Sequence, residues 1–412
     1  MLFRINPNGK FAVRRQFSTL SVVLFSFFIC SCMEQGREVA AALGKCPVVA
    51  SRVVMAQGDT VVSCREADVK ESITLPLSDI VDSLEIIKMD NREEALMGNY
   101  ALLIGEHYIG ARYIGKPYKL FTRQGKFVCD VGAVGQGPGE YTNLYDSQID
   151  EKHNRIYLLP WPDRKILVYD LKGNYLHDIP LAFLMNKGAI RVDTERQRVC
   201  VTQMAFEDAP DPAVWIQNFG GNVLQRNDAA SLKIWPDYSS EFLISSRERD
   251  YISFSFHRCA PLDDTDTLYH YYPDDNVLRP MLAVVSQEMG QYGAAINEYP
   301  CFYTITLFGE NTDSETLLLY TYVPVKRIIV QKGTLQGACY ELWNDLLGGI
   351  KLDGYLSETG YVANMEPGLL LEAIEKRLQE GDLSARDREF LAKWRDGISE
   401  EDNNYIIYGK YK

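Results

Sequence analysis

A hairpin that recurs at a fixed interval constrains this chain more than any other feature. Leu120-Phe-Thr-Arg-Gln-Gly125-Lys-Phe-Val reads as a strand, a turn and a return strand. Val168-Tyr-Asp-Leu-Lys-Gly173-Asn-Tyr-Leu and Ile216-Gln-Asn-Phe-Gly-Gly221-Asn-Val-Leu repeat it, with the turn glycines 48 residues apart both times. A degenerate copy follows at Tyr269-His-Tyr-Tyr-Pro-Asp-Asp-Asn-Val-Leu. Each turn needs a residue that tolerates positive φ, which selects Gly, Asn or Asp. A second register runs alongside, since Asp150-Glu-Lys-His-Asn154-Arg-Ile-Tyr is matched by Asp193-Thr-Glu-Arg-Gln197-Arg-Val-Cys. Both read as a polar turn entering a strand.

A unit of about 40–50 residues holding several strands is the size of one propeller blade. From residue 72 onward, apolar and aromatic runs alternate with Gly, Pro, Asn and Asp clusters. No helical period appears between residues 90 and 330, which disfavours a parallel βαβ fold. The expected fold is therefore all-β: a β-propeller over residues 72–412, long enough for six or seven blades, with a few helices inserted near the C-terminus. Three late helices are expected. Leu335, Cys339, Leu342 and Leu346 have helical spacing, stopped by Gly348-Gly349. Pro367 suits a first helical turn, followed by a stripe of Leu370, Ile374 and Leu378. Ser384 opens the last, which carries Phe390 and Trp394 and stops at Gly397. A ring of blades closes only if its ends meet, so Ile73–Leu77 or Leu84–Met89 is expected to join the final strand near residues 405–411.

Residues 1–31 hold four bases and no acid, and residues 17–29 form an almost wholly apolar run. That run is short for a membrane span and the right size for a signal-peptide core. Its end, Ile29-Cys30-Ser31-Cys32, resembles the bacterial lipobox, with an aliphatic residue at −3 and a small one at −1. Cleavage before Cys32 would leave its thiol to carry the lipid. Cys30 is the poorer candidate because bulky Ile29 precedes it. Val61-Val-Ser-Cys64 has a similar look, but Gln57, Gly58 and Asp59 interrupt any apolar core before it. Residues 32–71 lack sustained periodicity and are expected to form a tether.

The charge is −13, and −17 once the basic leader is removed. A chain this acidic repels phosphate backbones, which argues against nucleic-acid partners. Setting aside Cys30 and Cys32 leaves seven widely spaced cysteines without a Cys-x-x-Cys. Buried thiols are expected rather than a disulfide framework or a zinc site, and no cofactor or metal pattern is present.

Gly135-Gln-Gly137-Pro138-Gly139-Glu140-Tyr141 is the most distinctive stretch. Gly-x-Gly-Pro-Gly-Glu followed by an aromatic residue resembles a motif of the six-bladed β-propeller lipoproteins of Bacteroides-type bacteria. The blade over Asp150–Leu181, the two last helices and the acidic-Asn lead into the terminal strand are similar to that family. This chain has Asn403-Asn404-Tyr405 where the family has Asn-Pro and aliphatic residues. The resemblance implies a six-bladed propeller and lipid anchorage at the cell envelope. Met33 after Cys32, in place of the aspartate that retains lipoproteins in the inner membrane, leads to the expectation of an outer membrane lipoprotein. It supplies no activity and no catalytic residues. Physically, three glycines and a proline could cradle a phosphate. No Gly-Lys-Ser/Thr, helix or adjacent base follows, so the stretch reads as a structural turn.

Two clusters stand out as ligand platforms. Trp161-Pro-Asp163-Arg164 lies between two strands, and Trp235-Pro-Asp237-Tyr238 resembles it. A Trp beside charged groups can stack on a ring and exchange hydrogen bonds, although a packed Trp beside an ordinary turn fits as well. The 25 tyrosines add little, because strands favour Tyr anyway. His257 and Cys259 do not read as a nucleophile pair, nor the neighbouring acids Glu207 and Asp208 as a glycosidase pair. The function expected is a lipid-anchored binding or scaffold module for a glycan, peptide or protein. The alternative is a propeller enzyme, a hydrolase, lactonase or lyase, with acids or a metal at the channel mouth. Convergent carboxylates there would favour the enzyme, and a tyrosine-lined rim the binder.

Overall fold

The computed structural model describes residues 3–5, 42–55, 58–207, 210–229, 232–234, 240–248, 250–257, 265–285, 293–310 and 322–412. Its sheets follow one another along the chain as the six blades of a propeller. Blade 1 comprises Ala101–Ile104, Tyr108–Arg112, Tyr118–Thr122 and Phe127–Val131. Blade 2 comprises Leu144–Asp150, Arg155–Pro160, Asp163–Tyr169 and Tyr175–Met185. Blade 3 comprises Gly188–Asp193, Arg198–Gln203, Val214–Asn218 and Val223–Asn227. Blade 4 starts at Glu241–Ser246 and continues through Ile252–His257, Thr265–Tyr272 and Val277–Val285. Blade 5 starts at Ala294–Glu298 and continues through Phe302–Glu310, Tyr322–Gln331 and Gly337–Trp343. Within each of these blades consecutive strands pair antiparallel. The first strand of blade 2 meets the first of blade 3, which meets the first of blade 4, so first strands form the inner wall of the ring.

The recurring turn is the repeat's physical basis. Gly125, Gly173 and Gly221 all have φ of 82°, and Asn276 takes the same role in blade 4 at 52°. The second register behaves alike, with Asn154 at 56° and Gln197 at 51°. Each turn glycine also abuts the preceding blade. A Cβ on Gly173 would lie 2.7 Å from the Asp130 carbonyl oxygen on the outer strand of blade 1, and one on Gly125 would lie 2.4 Å from that of Lys88. The apolar cores sit between blades. Leu120, Ile156, Leu158 and Tyr169 fill the wedge between blades 1 and 2, and Val168, Ile190, Val201 and Trp215 that between blades 2 and 3. Each fully buried aliphatic or aromatic side chain contributes about 1.5–3 kcal/mol.

Blade 6 is assembled from both halves of the chain. Gly354–Leu356, Gly360–Met365 and Tyr405–Lys410 come from the C-terminal region, and Leu84–Lys88 completes the sheet by pairing with Tyr405–Tyr408. Of the two strands expected at this junction, Leu84–Lys88 takes the place. Ser72–Pro76 instead lies parallel to the outer strand of blade 5. Helices α1 (Pro367–Gln379) and α2 (Ala385–Arg395) are inserted between the second and third strands of blade 6. Helix α1 buries Leu370 and Ile374, and α2 is capped by the Ser384 hydroxyl accepting from the Asp387 N–H at 3.1 Å. A short segment, Phe3–Ile5, runs antiparallel to Leu84–Lys88.

Two expectations differ from the structure. The stretch read as a tether is partly folded. Ala50–Val54 and Thr60–Arg65 form a hairpin whose second strand lies parallel to Val277–Val285 of blade 4, burying Val61 and Cys64. Gly58, at φ 93°, lies in the hairpin turn, where the Met55 N–H donates to the Asp59 carbonyl at 2.8 Å. The helix expected from Leu335 to Leu346 is absent. Gly337–Trp343 is a strand and only Asp345–Leu347 is helical, as a single 3₁₀ turn. Pairing on both edges, with Tyr322–Gln331 and Ser72–Pro76, overrides the local leucine spacing.

Gly173→Ala should lower stability by about 2–4 kcal/mol, since it forces a Cβ into positive φ and against the neighbouring blade. Gly368→Ala, in the first turn of α1 with nothing within 4 Å, should be neutral or stabilising. Denaturant midpoints of the two variants check this, and equal midpoints would show that the turn does not lock the blades.

Candidate functional site

The channel is spanned by one ion cluster. Arg247, just past the inner strand of blade 4, donates to Asp146 Oδ1 of blade 2 at 2.7 Å and to Glu358 Oε1 of blade 6 at 2.5 Å. Blades 2, 4 and 6 are not neighbours in the ring, so a guanidinium bonded to all three crosses the axis. The second Asp146 oxygen accepts from the Ile190 N–H at 2.8 Å. Arg247 and Asp146 are 15% and 13% exposed. Burial raises the Glu358 carboxyl above the usual carboxylate range, although Arg247 pulls it back. At the end where blades 2 and 4 begin, Glu241 accepts from the Tyr145 hydroxyl at 2.6 Å and from the Lys187 ammonium at 2.5 Å. Arg112 caps the Leu144 and Tyr145 carbonyls. Asp146, Glu241 and Glu358 are thus each held by a cation or a phenol, with the Glu241 side chain still 47% exposed. A general acid or base needs a carboxyl within reach of a substrate proton.

A cavity of about 380 Å³ opens between blades 5 and 6. Its blade 5 wall carries Thr306, Arg327 and Tyr340. Thr306 pairs with Arg327, and the register of the next strand sets Tyr340 beside Arg327, so all three share one sheet face. Its other wall is Tyr355 and Tyr361 of blade 6, and the link between the blades contributes Asn344 and Asp353. Burial pushes the Tyr340 phenol up to about 12, against the pull of the Arg327 guanidinium. Arg327 is exposed to the cavity and has no hydrogen bond or ion pair among the described residues. Asn344, only 7% exposed, uses its side-chain oxygen to cap the 3₁₀ turn, while its amide nitrogen has no partner among the described residues. Lys351 and Glu341 face each other across the mouth at 3.8 Å.

A second polar cluster is buried where blades 4 and 5 meet. Glu298, 4% exposed, accepts from the Ser253 hydroxyl at 2.6 Å and from the Lys332 ammonium at 2.6 Å, and meets the His270 imidazole Nε2. Tyr251 stacks on His270 at 4.0 Å between ring centroids. These partners hold the Glu298 carboxyl at about 2 despite its burial. Ser253 is bonded to the carboxylate, not to the imidazole, so the three do not form a nucleophile relay.

The Gly-Pro-Gly loop closes on itself. Glu140 accepts from the Gly137 N–H at 2.8 Å, and a Cβ on Gly135 would collide with that carboxylate. The Tyr141 hydroxyl donates to the Val131 carbonyl and accepts from the Tyr118 N–H, both at 2.7 Å, and Tyr169 donates to the Gly139 carbonyl at 2.6 Å. Pro138 sits between the two anchored glycines. The loop ties blade 1 to blade 2. Trp161 and Asp163 are half-buried and Arg164 is exposed at the turn between the second and third strands of blade 2. The Asp163 carboxylate accepts from the Arg164 N–H at 2.7 Å, and none of the three lines the cavity. Trp235, Tyr238 and the proposed lipid site Cys32 lie outside the described residues. Cys46, Cys64 and Cys200 are buried and unpaired, and burial pushes the Cys64 and Cys200 thiols up to about 12.

Sequence reading missed Arg247, Asp146, Glu358 and Arg327. One signal existed for Arg327. It and Lys326 interrupt an otherwise apolar strand, Tyr322-Val-Pro-Val-Lys-Arg-Ile-Ile-Val330, whose last three residues are buried.

Comparison with protein families matches residues 59–410 to the domain of unknown function DUF4934, and the chain belongs to that family. Among solved structures, a Bacteroides fragilis protein named as exported is 14% identical, with 83% of this chain and 99% of that one covered and a TM-score of 0.53. A Bacteroides vulgatus member of the DUF4221 family is 10% identical over 81% and 97%, with a TM-score of 0.44. No curated protein matches the chain. The first likeness shows a shared fold.

The Glu298 cluster sets a pH dependence. A carboxyl held below its ordinary 4.5 stabilises the fold above that pH, and the stabilisation is lost as pH falls toward about 2. Glu298→Gln should therefore cost about 3 kcal/mol at pH 7 and flatten the acid limb over that window. Denaturant titrations at neutral and acid pH check this, and parallel stability curves for wild type and variant would contradict it.

Proposed function

We propose that this member of the DUF4934 family is a binding module of the cell envelope, anchored by a lipid on Cys32. The cavity between blades 5 and 6 carries this reading. It lies in the size range of small-molecule sites, its walls combine aromatic rings with a few polar groups, and its guanidinium is unpaired. The channel, where a propeller enzyme would gather its acids, is instead crossed by Arg247 and its two carboxylates. Residues 1–31 act as the signal peptide and the segment up to residue 41 as the tether. Removing the leader removes Phe3–Ile5 and leaves blade 6 with four strands, the same number as blades 1 to 3. The exported Bacteroides fragilis protein that shares the fold supports an envelope location, and no helix among the described residues is long and apolar enough to cross a membrane. The anchor faces the outer membrane.

The ligand is a glycan or peptide fragment seated in the cavity. Alternation of strand direction puts the Trp161 turn and the link that frames the cavity at the same end of the ring. Trp161, Asp163 and Arg164 belong to the rim at that end, on which a longer ligand would continue, and Trp235 and Tyr238 are the further residues proposed to meet it.

Two measurements test this. A glycan and peptide array on the purified full-length chain should yield a ligand whose affinity falls several-fold to about thirty-fold in Tyr355→Ala, the loss of one stacking contact. Trp161→Ala should bind a short ligand as wild type does. A ligand lost in Trp161→Ala and kept in Tyr355→Ala would move the site to the rim, and a ligand kept in both would remove it from this end of the ring. Separately, cells fed a palmitate analogue should label wild type and not Cys32→Ala, and persistent label in the variant would overturn the anchor.

A further inference from the structure

Charge inside the cavity narrows the ligand's chemistry. The sheet face on which Arg327 stands is the one that blade 5 turns toward blade 6. Its neighbours on that face, Ile329, Ala338 and Leu342, belong to the apolar core shared by the two blades. A guanidinium at such a position would ordinarily be answered by a carboxylate from the facing blade, because an uncompensated cation between packed sheets is costly. No such partner is present among the described residues, and blade 6 answers with Tyr355 and Tyr361. The wedge stays open there, and Arg327 meets solvent through it.

The acids of the cavity are placed elsewhere. Glu341 is engaged with Lys351 at the mouth. Asp353 lies close enough to Tyr361 to help raise its phenol, which puts it toward the blade 6 wall. Arg327 sits beside Tyr340 on the blade 5 wall. The cavity therefore offers a planar cationic fork on one side, with the Thr306 hydroxyl beside it, an acceptor on the other, and tyrosine rings on both walls. A guanidinium fork matches a carboxylate bidentately. Aromatic faces suit the C–H face of a saturated ring, and Asp353 with Thr306 suits ring hydroxyls.

We infer that the cavity takes an acidic sugar, with a uronate carboxylate on Arg327, its ring against the tyrosines and its hydroxyls toward Thr306 and Asp353. This rests on the binding reading of the cavity given above. It adds the ligand's class, and it makes Arg327 the specificity-determining residue, since a neutral sugar leaves the fork unanswered. The contact is charge-assisted, so added salt weakens it.

The test is calorimetric titration of the full-length chain with galacturonate, glucuronate and their short oligosaccharides. Galactose, glucose, acetate and a free α-amino acid serve as comparison ligands. Wild type should bind a uronate at least ten-fold tighter than the matching neutral sugar and than acetate, and more weakly at high salt. Arg327→Met should lose that preference and bind the neutral and acidic sugars alike. Arg327→Lys should keep part of it, as a point charge without the fork. Because Arg327 has no partner to leave behind, both variants should melt as wild type does, which separates lost contact from lost fold. No uronate binding, equal affinity for acidic and neutral sugars, unchanged preference in Arg327→Met, or tighter binding of the amino acid would each overturn the inference. If the array ligand is Tyr355-sensitive and is not an acidic sugar, the class fails and the binding site stands. If no ligand is Tyr355-sensitive, both fail.

Discussion

The pairing of Tyr405–Lys410 with Leu84–Lys88 is the interaction on which the ring depends. Blades 1 to 5 each take their four principal strands from one continuous run of chain, whereas blade 6 exists only when residues more than three hundred positions apart meet. The junction is reinforced by two buried asparagines immediately before the last strand. The Asn403 amide donates to the Asp90 and Ala95 carbonyls at 2.8 and 2.9 Å, and its oxygen accepts from the Met97 N–H at 3.1 Å. Asn404 donates to the Gly98 carbonyl at 3.1 Å and to the Asn364 side chain at 2.8 Å. Every one of these bonds joins the returning C-terminal chain to the loop after Leu84–Lys88 or to the middle strand of the same blade. Buried backbone groups on that loop would otherwise lack partners, at about 1–3 kcal/mol each. The asparagines fix where the chain re-enters the sheet after the two-helix excursion, so the register of closure does not depend on strand pairing alone.

The N-terminal region does a second job before it reaches blade 6. Thr60–Arg65 and Ser72–Pro76 lie parallel on the outer strands of blades 4 and 5. Those outer strands would present open hydrogen-bonding edges, and a covered edge cannot recruit another chain. Among the described residues blades 1, 2 and 3 have no such cover, and their outer strands carry exposed apolar side chains at Val128, Leu176, Val223 and Leu224. The outer wall of the ring is therefore protected at two of its six blades by the same chain that closes it.

How much of this could be read from sequence follows from how local each feature is. The turn glycines are legible because positive φ is demanded within four residues, and Gly125, Gly173, Gly221 and Asn276 all show it. Helices α1 and α2 are legible because Pro367 at the first helical position and the Ser384 cap start them locally. The Leu335–Leu346 spacing misleads because the strand is set by partners far away, among them Leu342 opposite Leu75. The hairpin around Gly58 is missed for the same reason, since Leu282 aligns with Val62 across most of the ring. The polar sites are the least legible. Asp146, Arg247 and Glu358 are ordinary surface types in sequence, and nothing short of the ring's geometry brings together residues 101 and 111 positions apart.

The cavity follows from the closure. Blade 6 begins with an inner strand of three residues, Gly354–Leu356, where blades 2, 3 and 4 have inner strands of seven, six and six. A short inner strand covers less of the sheet face that blade 5 turns toward it. Between blades 1 and 2 that face is filled by interdigitating aliphatic side chains such as Leu167 and Ile156. Here the uncovered part of the face holds Thr306 and Arg327, which are compatible with water and not with a packed core. Further along the same face Ile329 and Ala338 are fully buried, and the polar residues there, Thr304 and Gln331, are buried as well. A composite blade that must receive two helices and an N-terminal strand leaves one wedge incompletely packed, and the side chains lining that wedge are the ones a ligand can use.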